Sequence, residues 1–246
     1  MKMKIPKSHP RYKSLVLREK IVKCVEKGIT SIHGLIAHGR GEAFDYLFGE
    51  KTRRFAIKSI RAASALLLLG NNPVISVNGN AAALCPSEIV ELSKIIPAKL
   101  EVNIFHKSKK REVRIADYLI KHGAREVLLP NRGRIRFIEH NRRLCNEEGI
   151  IKADVVFVPL EDGDRCEALK KMRKKVITID LNPLSRTARK ANITIVDNVK
   201  RSIPLLIKEI KKDKSTKKNT LKKRLKNYNN KLVLEEALKY ISKSFS

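Results

Sequence analysis

Short β-branched runs alternate with amphipathic stretches through the middle of the chain. The pattern predicts strands over 73–77, 99–105, 126–129, 153–158, 176–179 and 192–196, most of them with β-branched apolar cores. Continuous apolar runs of this length belong to strands buried on both faces of a sheet. Between them, spacing of three to four predicts helices over 86–95, 109–122, 164–174 and 200–211. Strand and helix in alternation imply an α/β fold, with a doubly wound, mostly parallel sheet and helices on both faces. Before this block the chain reads as helical over 11–27, 42–48 and 51–69, with Gly28 and Gly70 as stops. After it, 212–219 reads as a polar linker and 232–241 as a last amphipathic helix. The organisation expected is therefore an N-terminal helical segment (1–70), a nucleotide-binding core (71–211) and a Lys-rich linker with a C-terminal helix (212–246).

Composition adjusts this picture in a few places. The 246 residues are enough for one large domain or two small ones. A formal net charge of +29 invites a nucleic-acid reading. The charge is spread along most of the chain, however, and no zinc finger, RNA-recognition motif or GXXG loop accompanies it. With five Tyr, seven Phe and no Trp there are few stacking platforms, so an anionic small substrate is the favoured explanation. Cys24, Cys85, Cys145 and Cys166 form no CxxC pair and read as buried thiols in a reducing compartment. The longest apolar stretch, 62–69, is too short to span a bilayer, and the charged N-terminus lacks a signal-peptide core. A cytoplasmic location is expected, without a membrane partner.

Candidate chemistry gathers where predicted strands end. The run 176–179 stops at Asp180, then continues Leu181-Asn182-Pro183-Leu184-Ser185-Arg186-Thr187. A buried parallel strand delivers such groups to the carboxyl edge of the sheet, where ligands bind. Asp180 and Asn182 can hydrogen-bond a ribose or base, and Arg186 can meet phosphate; a plain turn is the competing reading. His38-Gly39-Arg40-Gly41, placed just before the helix predicted at 42–48, would set Arg40 and free N–H groups against an anion. Asn78-Gly79-Asn80 follows the first strand as a phosphate loop or a turn, and matches neither dinucleotide nor P-loop fingerprints. Glu161, Asp162 and Asp164 could hold Mg²⁺ or an ammonium, or could form a turn with Asp164 capping a helix. Near the N-terminus, His9, Arg11 and Arg18 could fold over a site, and no nucleophilic triad is discernible.

Taken together, 5–11, 34–47, 77–80, 153–165 and 180–186 closely resemble the archaeal phosphopantothenate synthetase family, the 4-phosphopantoate–β-alanine ligases. The resemblance runs in order from about residue 4 to about 212; the Lys-rich segment beyond it looks peculiar to this chain. It implies a Rossmann-like homodimer that condenses 4-phosphopantoate with β-alanine in coenzyme A synthesis. ATP is the co-substrate with Mg²⁺, and AMP and pyrophosphate are released by way of an acyl-adenylate. It carries ATP contacts onto Arg18, Arg40, Asp180, Leu181, Asn182, Arg186, Thr187, Asn198 and Val199. Expected roles beyond these are substrate binding by His9, Arg11, Asn78, Gly79 and Asn80, catalysis by Arg40, His38 and Asn80, and metal binding by Asp162 and Asp164. The rival readings are a basic nucleic-acid-binding protein, or another ATP-dependent kinase or ligase on the same sheet; no specific nucleic-acid partner is expected.

Overall fold

A computed structural model of the chain describes residues 5–106 and 108–243. Three helices come first: α1 (Tyr12–Glu26), α2 (Ile32–Phe48) and α3 (Arg54–Leu69). The α/β block follows, with β1 (Pro73–Val77), α4 (Gly79–Leu84), α5 (Pro86–Ile95), β2 (Lys99–Val102) and α6 (Lys109–Lys121). A two-stranded antiparallel hairpin, β3 (Gly133–Arg134) and β4 (Leu144–Cys145), interrupts the alternation. Then come β5 (Val155–Pro159), α7 (Gly163–Lys171), β6 (Lys175–Ile179), α8 (Arg186–Lys190), β7 (Ile193–Ile195) and α9 (Val199–Asp213). Two further helices, α10 (Lys218–Lys226) and α11 (Asn230–Lys243), complete the described chain.

The five main strands are all parallel, in the order β2-β1-β5-β6-β7. From β1 the chain winds outward to β2, then returns to β5 and winds the other way. The strand order therefore switches between β1 and β5, and a crevice opens beyond their carboxyl ends. This is the doubly wound α/β sheet that the strand pattern predicts. Successive side chains serve two cores. Ile75, Phe157, Ile177 and Ile179 face the larger core with α3, α5 and α9, while Val74, Val156, Val158 and Val176 face a smaller one with α7 and the hairpin. Each such side chain contributes about 1.5–3 kcal/mol on burial, which is why the strands carry no polar face.

Besides α4, α8 and the β3–β4 hairpin, which the pattern does not show, four elements differ from the sequence reading. First, α2 is a continuous helix from Ile32, not a short one from 42, although it contains Gly34, Gly39 and Gly41. Gly34 is needed there: a Cβ would lie 2.4 Å from both Asn80 Oδ1 and Thr30 Oγ1. Close packing against α4 thus overrides the weak helix propensity of glycine. Second, 126–129 is not a full strand. It contributes one parallel bridge, Glu101 to Leu128, at the β2 edge. Third, β2 ends at Val102 instead of continuing to 105. Fourth, the expected linker at 212–219 shrinks to a four-residue turn, 214–217, between α9 and α10. Asp213 ends α9 as a buried anchor, accepting from Ser64 Oγ at 2.8 Å and from Arg224, which fastens α10 beside α3. Leu221, Val233, Leu234 and Ala237 are buried, so α10 and α11 are part of the packed body.

Candidate functional site

Beyond the carboxyl ends of β1, β5, β6 and β7 lies a cleft of about 600 Å³. One stripe of α2, comprising Gly34, Ala37, His38, Gly41 and Phe44, forms its opposite wall. At one end the β6 and β7 loops supply Asp180, Leu181, Asn182, Asn198 and Val199. At the other end stand Phe105, His106, Arg111 and Arg142, and Asp162 follows β5.

The loop after β6 is held by its own side chains. Asp180 accepts from Asn182 N at 2.9 Å and from Ser185 Oγ, and Asn182 Oδ1 accepts from Leu184 N at 2.9 Å. Burial raises the Asp180 carboxyl above its ordinary pKa, with the Ser185 and Asn182 bonds working against that shift. Ser185 Oγ also caps α8 by accepting from Ala188 N at 2.9 Å. Both readings of the segment are thus present: a self-bonded turn, and a wall of the cleft. Thr187 also lines the cleft, its hydroxyl donating to Glu161 O at 2.9 Å. Arg186 does not join them. It donates to Glu167 at 2.8 Å on α7 and stands outside the cleft wall.

The β7 end is braced from α2. Arg201 donates to Asp45 and Asp197, Thr52 Oγ1 donates to Asp197 at 2.6 Å, and Asn198 Nδ2 donates to Asp45 at 3.2 Å. Asn198 Oδ1 accepts from Lys200 N at 2.9 Å, so this side chain caps α9. Asn198 N also donates to Asp197 Oδ1 at 2.8 Å, so what is left for a ligand is the Val199 N–H at the positive end of a 15-residue helix.

Arg40 and His38 face the cleft from the middle of α2. The N–H groups around Arg40 are intrahelical, so the free helix terminus expected there does not exist. Its guanidinium has no ion pair among the described residues. Burial holds the His38 imidazole below its ordinary pKa, with Glu42 and Asp45 working weakly in the other direction.

Arg11 and Arg18 are diverted. Glu42, on the next face of α2, accepts from Arg11 Nη2 at 2.7 Å, from Arg18 Nη2 at 2.9–3.0 Å, from Tyr46 OH at 2.8 Å and from Ser14 Oγ. Burial would raise the Glu42 carboxyl, but the Ser14 and Arg18 bonds outweigh it and hold it below the ordinary range. Arg11 also lies over the Tyr46 ring at 3.9 Å. Neither arginine lines the cleft itself, although Glu42, which holds both, does, and His9 is exposed with Nδ1 accepting from Arg11 N at 3.0 Å.

Asn78 and Asn80 line the cleft, but their side chains build its floor. Asn78 caps α4 through Ala81 N at 2.9 Å and donates to Pro159 O and Leu160 O, both at 2.9 Å, tying β1 to β5 at the switch point. Asn80 accepts from Thr30 Oγ1 at 2.6 Å and donates to Gly34 O at 2.8 Å, which fixes α2 over α4. A Cβ on Gly79 would lie 2.7 Å from Ile29 O, so the residue is small because backbone passes there.

The acidic run after β5 is neutralised by cations that sequence reasoning did not single out. Glu161, whose side chain is fully buried, pairs with Arg165 and, at 3.1 Å, with Arg142. Asp162 pairs with Arg142 at 2.5 Å. His140 Nδ1 accepts from Arg142 N, so its Nε2–H donates to Asp164 at 2.6 Å. Burial opposes the Arg142 charge, but Glu161 and Asp162 raise its pKa above the ordinary value. Among the described residues no group of three His, Cys, Asp or Glu side chains is arranged to hold a metal ion. A resident Mg²⁺ on Asp162 and Asp164 therefore does not fit: both carboxylates are paired, and no third ligand joins them. Arg142 comes from the Arg-rich loop before β4 and is placed by Asn103 Oδ1 at 2.9 Å. The one signal in the sequence was the density of arginine between 132 and 143.

Comparison with known proteins gives a consistent result. A family model described as phosphopantothenate/pantothenate synthetase matches residues 55–244. A Methanosarcina mazei protein named 4-phosphopantoate–β-alanine ligase is 52% identical over 237 residues, 96% of this chain and 94% of the relative. The Thermococcus onnurineus protein of the same name is 53% identical over 242 residues, 97% of this chain and 92% of its own. The one from Thermococcus kodakarensis is 52% identical over 240 residues, 96% and 92% of the two chains. The family match continues past 212, so the Lys-rich C-terminal segment is shared with the family and is not peculiar to this chain.

Proposed function

The chain belongs to the phosphopantothenate/pantothenate synthetase family, and from that premise we propose that it is a 4-phosphopantoate–β-alanine ligase of coenzyme A synthesis, using ATP as co-substrate. The observation that carries this reading is identity of about half the residues over more than nine-tenths of both chains with relatives of that name. The cleft at the switch point supports it, because this is where a doubly wound sheet receives a nucleotide.

The reaction must turn a carboxylate into an electrophile. An oxygen of the 4-phosphopantoate carboxylate attacks the α-phosphorus of ATP, and the bond from that phosphorus to the bridging oxygen breaks to release pyrophosphate. The amine of β-alanine then attacks the acyl carbon of the adenylate. AMP leaves, and the nitrogen loses a proton. Mg²⁺ would arrive on the ATP phosphates, as no cage of carboxylates or histidines is arranged among the described residues. Asp180, Leu181, Asn182, Thr187 and the Val199 N–H would receive the nucleoside end. Arg40, the cation of α2 without an ion pair, would meet the phosphates as charge accumulates on them. Burial disfavours the charged form of His38, so its neutral imidazole would be the form available to take the proton released by the amine. Asn80 acts at one remove, by holding α2 in place.

A homodimer fits the outer side of α2. Ile32, Ile36, Ala43 and Tyr46 are exposed at spacings of four, seven and three, and Ile32 and Ile36 are 66% and 58% exposed. Such an apolar stripe on a helix suits a matching helix from a second copy.

The test is incubation of the protein with Mg-ATP, 4-phosphopantoate and β-alanine, followed by mass spectrometry. AMP and 4′-phosphopantothenate should form together, and only with all three substrates. ADP in place of AMP would make the enzyme a phosphoryl-transfer enzyme and overturn the ligase reading.

A further inference from the structure

Away from the cleft, the surface formed by the end of α9, the turn after it and α10 carries one sign of charge. Lys212, Lys214, Lys217, Lys218, Lys222 and Lys226 are all exposed there, and none has an ion pair among the described residues. The only carboxylates between 208 and 226 are Glu209 and Asp213. Both are used inward. Asp213 holds Arg224 and Ser64, and Glu209 lies 3.8 Å from Arg61 and from Arg224. The lysines therefore face solvent without a counter-charge from the protein.

This arrangement works against the helix that carries it. Lys218, Lys222 and Lys226 follow one another at intervals of four, a rise of about 6 Å per step, so like charges are neighbours on one stripe. Lys217 and Lys218 stand at the positive end of α10, where the first turn has no acidic residue and Lys217 gives no side-chain cap. What holds α10 is the burial of Leu221 and the pairing of Arg224 with Asp213. A polyanion laid along the stripe would relieve the repulsion.

The chemistry of the surface narrows that polyanion. Protein interfaces centre on aromatic, Met and Arg side chains and are poor in Lys, and no large apolar side chain is exposed between 208 and 226. A helix that lies on a membrane needs an apolar face for the lipid, and that of α10, Leu221 and Leu225, is turned to the protein. Single strands are held by stacking on aromatic rings, and 208–226 contains none. RNA duplexes are distinguished by contacts to the 2′-hydroxyl, for whose proton a lysine has no acceptor. Lysine ammonium groups meet phosphate as point charges, which positions a duplex and reads no bases. We propose that this surface binds the phosphate backbone of duplex DNA without regard to sequence, a second function independent of the cleft.

The probe is a fluorescent DNA duplex of about 20 base pairs, titrated with the full chain as salt is varied between about 50 and 200 mM. If about five of the lysines meet phosphates, the logarithm of the association constant should fall with log salt at a slope of about 4.5, a loss of about 500-fold across that range. Lys218→Gln, Lys222→Gln and Lys226→Gln combined should lower the slope by about 2.7 and weaken binding at least about tenfold at the low-salt end. Gln keeps the helix propensity, and circular dichroism checks the fold. The control removes the same charge from the other basic segment, by Arg132→Gln, Arg136→Gln and Arg143→Gln, and should leave the slope within about one of the unaltered protein. Equal losses in the two variants would mean that only the net charge of +29 acts, and would overturn the proposal. So would an unchanged slope in the lysine variant, or no DNA binding at the lowest salt. Binding of an RNA duplex, a single DNA strand or phosphatidylserine vesicles as tight as that of the DNA duplex would overturn the choice of partner, and the proposal with it. None of these readouts uses the ligase substrates, so failure here and failure of the ligase reading are distinguishable.

Discussion

Removing the Glu161 carboxylate tests the view that the floor of the cleft rests on a buried charge network. Glu161 and Arg165 are both 0% exposed, and Arg142 is 4% exposed. Glu161 also accepts from Asp162 N at 2.7 Å. In Glu161→Ala, Arg165 would keep only its bond to Ser76 Oγ at 3.0 Å, and burial already lowers its pKa even with Glu161 present. Arg142 would keep Asp162. Breaking a buried pair while its partner stays behind costs about 3–5 kcal/mol, and the lost acceptor for Asp162 N adds about 1 kcal/mol. Against a whole-domain stability of about 5–15 kcal/mol this is a large fraction. With a urea slope of about 3 kcal/mol/M, the midpoint should fall by more than about 1 M. The assay is urea unfolding by circular dichroism at one fixed protein concentration. Glu161→Leu combined with Arg165→Met removes both charges and should recover much of the loss. A loss under about 1 kcal/mol in Glu161→Ala, or a double variant no better than the single one, would refute the argument.

Arg40→Ala should lower kcat/KM for ATP at least tenfold, about 1.4 kcal/mol, with the fold intact; unchanged steady-state kinetics would remove Arg40 from the phosphate site. Burial raises the Glu101 carboxyl from 4.5 to about 7, although Asn146 N and Ile150 N donate to it. The folded state then holds a proton that the unfolded state has lost. Stability from this group should therefore be full below pH 4.5 and fall as pH rises to about 7, by at most about 3 kcal/mol. Glu101→Gln should flatten that part of the stability profile, and an unchanged slope would contradict the assignment. Gly79→Ala should destabilise by about 1–3 kcal/mol, because its Cβ would meet the Ile29 carbonyl at 2.7 Å; thermal unfolding reads this, and a neutral result would mean that the chain there can yield.

The sequence by itself determined the sheet. Most of its strands are short β-branched runs whose burial on two faces is local information, and it also located Asp180, Asn182 and Asn78 at strand ends, where parallel sheets bind ligands. What those side chains do was decided by tertiary structure. Asn78 bonds to Pro159 and Leu160, which are more than eighty positions away. Arg11 and Arg18 turn to Glu42, and Arg186 turns to Glu167. A planar donor fork satisfies whichever acceptor packing brings near, so charge type alone does not assign it to a ligand. Gly39 and Gly41 read locally as the entry to a helix, yet the helix runs through them from Ile32, with Asn80 and Thr30 packed so closely on Gly34 that a side chain would not fit. Arg111, His106 and Arg142 meet at one cleft end from three segments with no pattern of their own. Periodicity encodes which residues are buried, whereas the pairing of polar groups across the cleft depends on the order in which the strands lie side by side, and only the folded sheet fixes that.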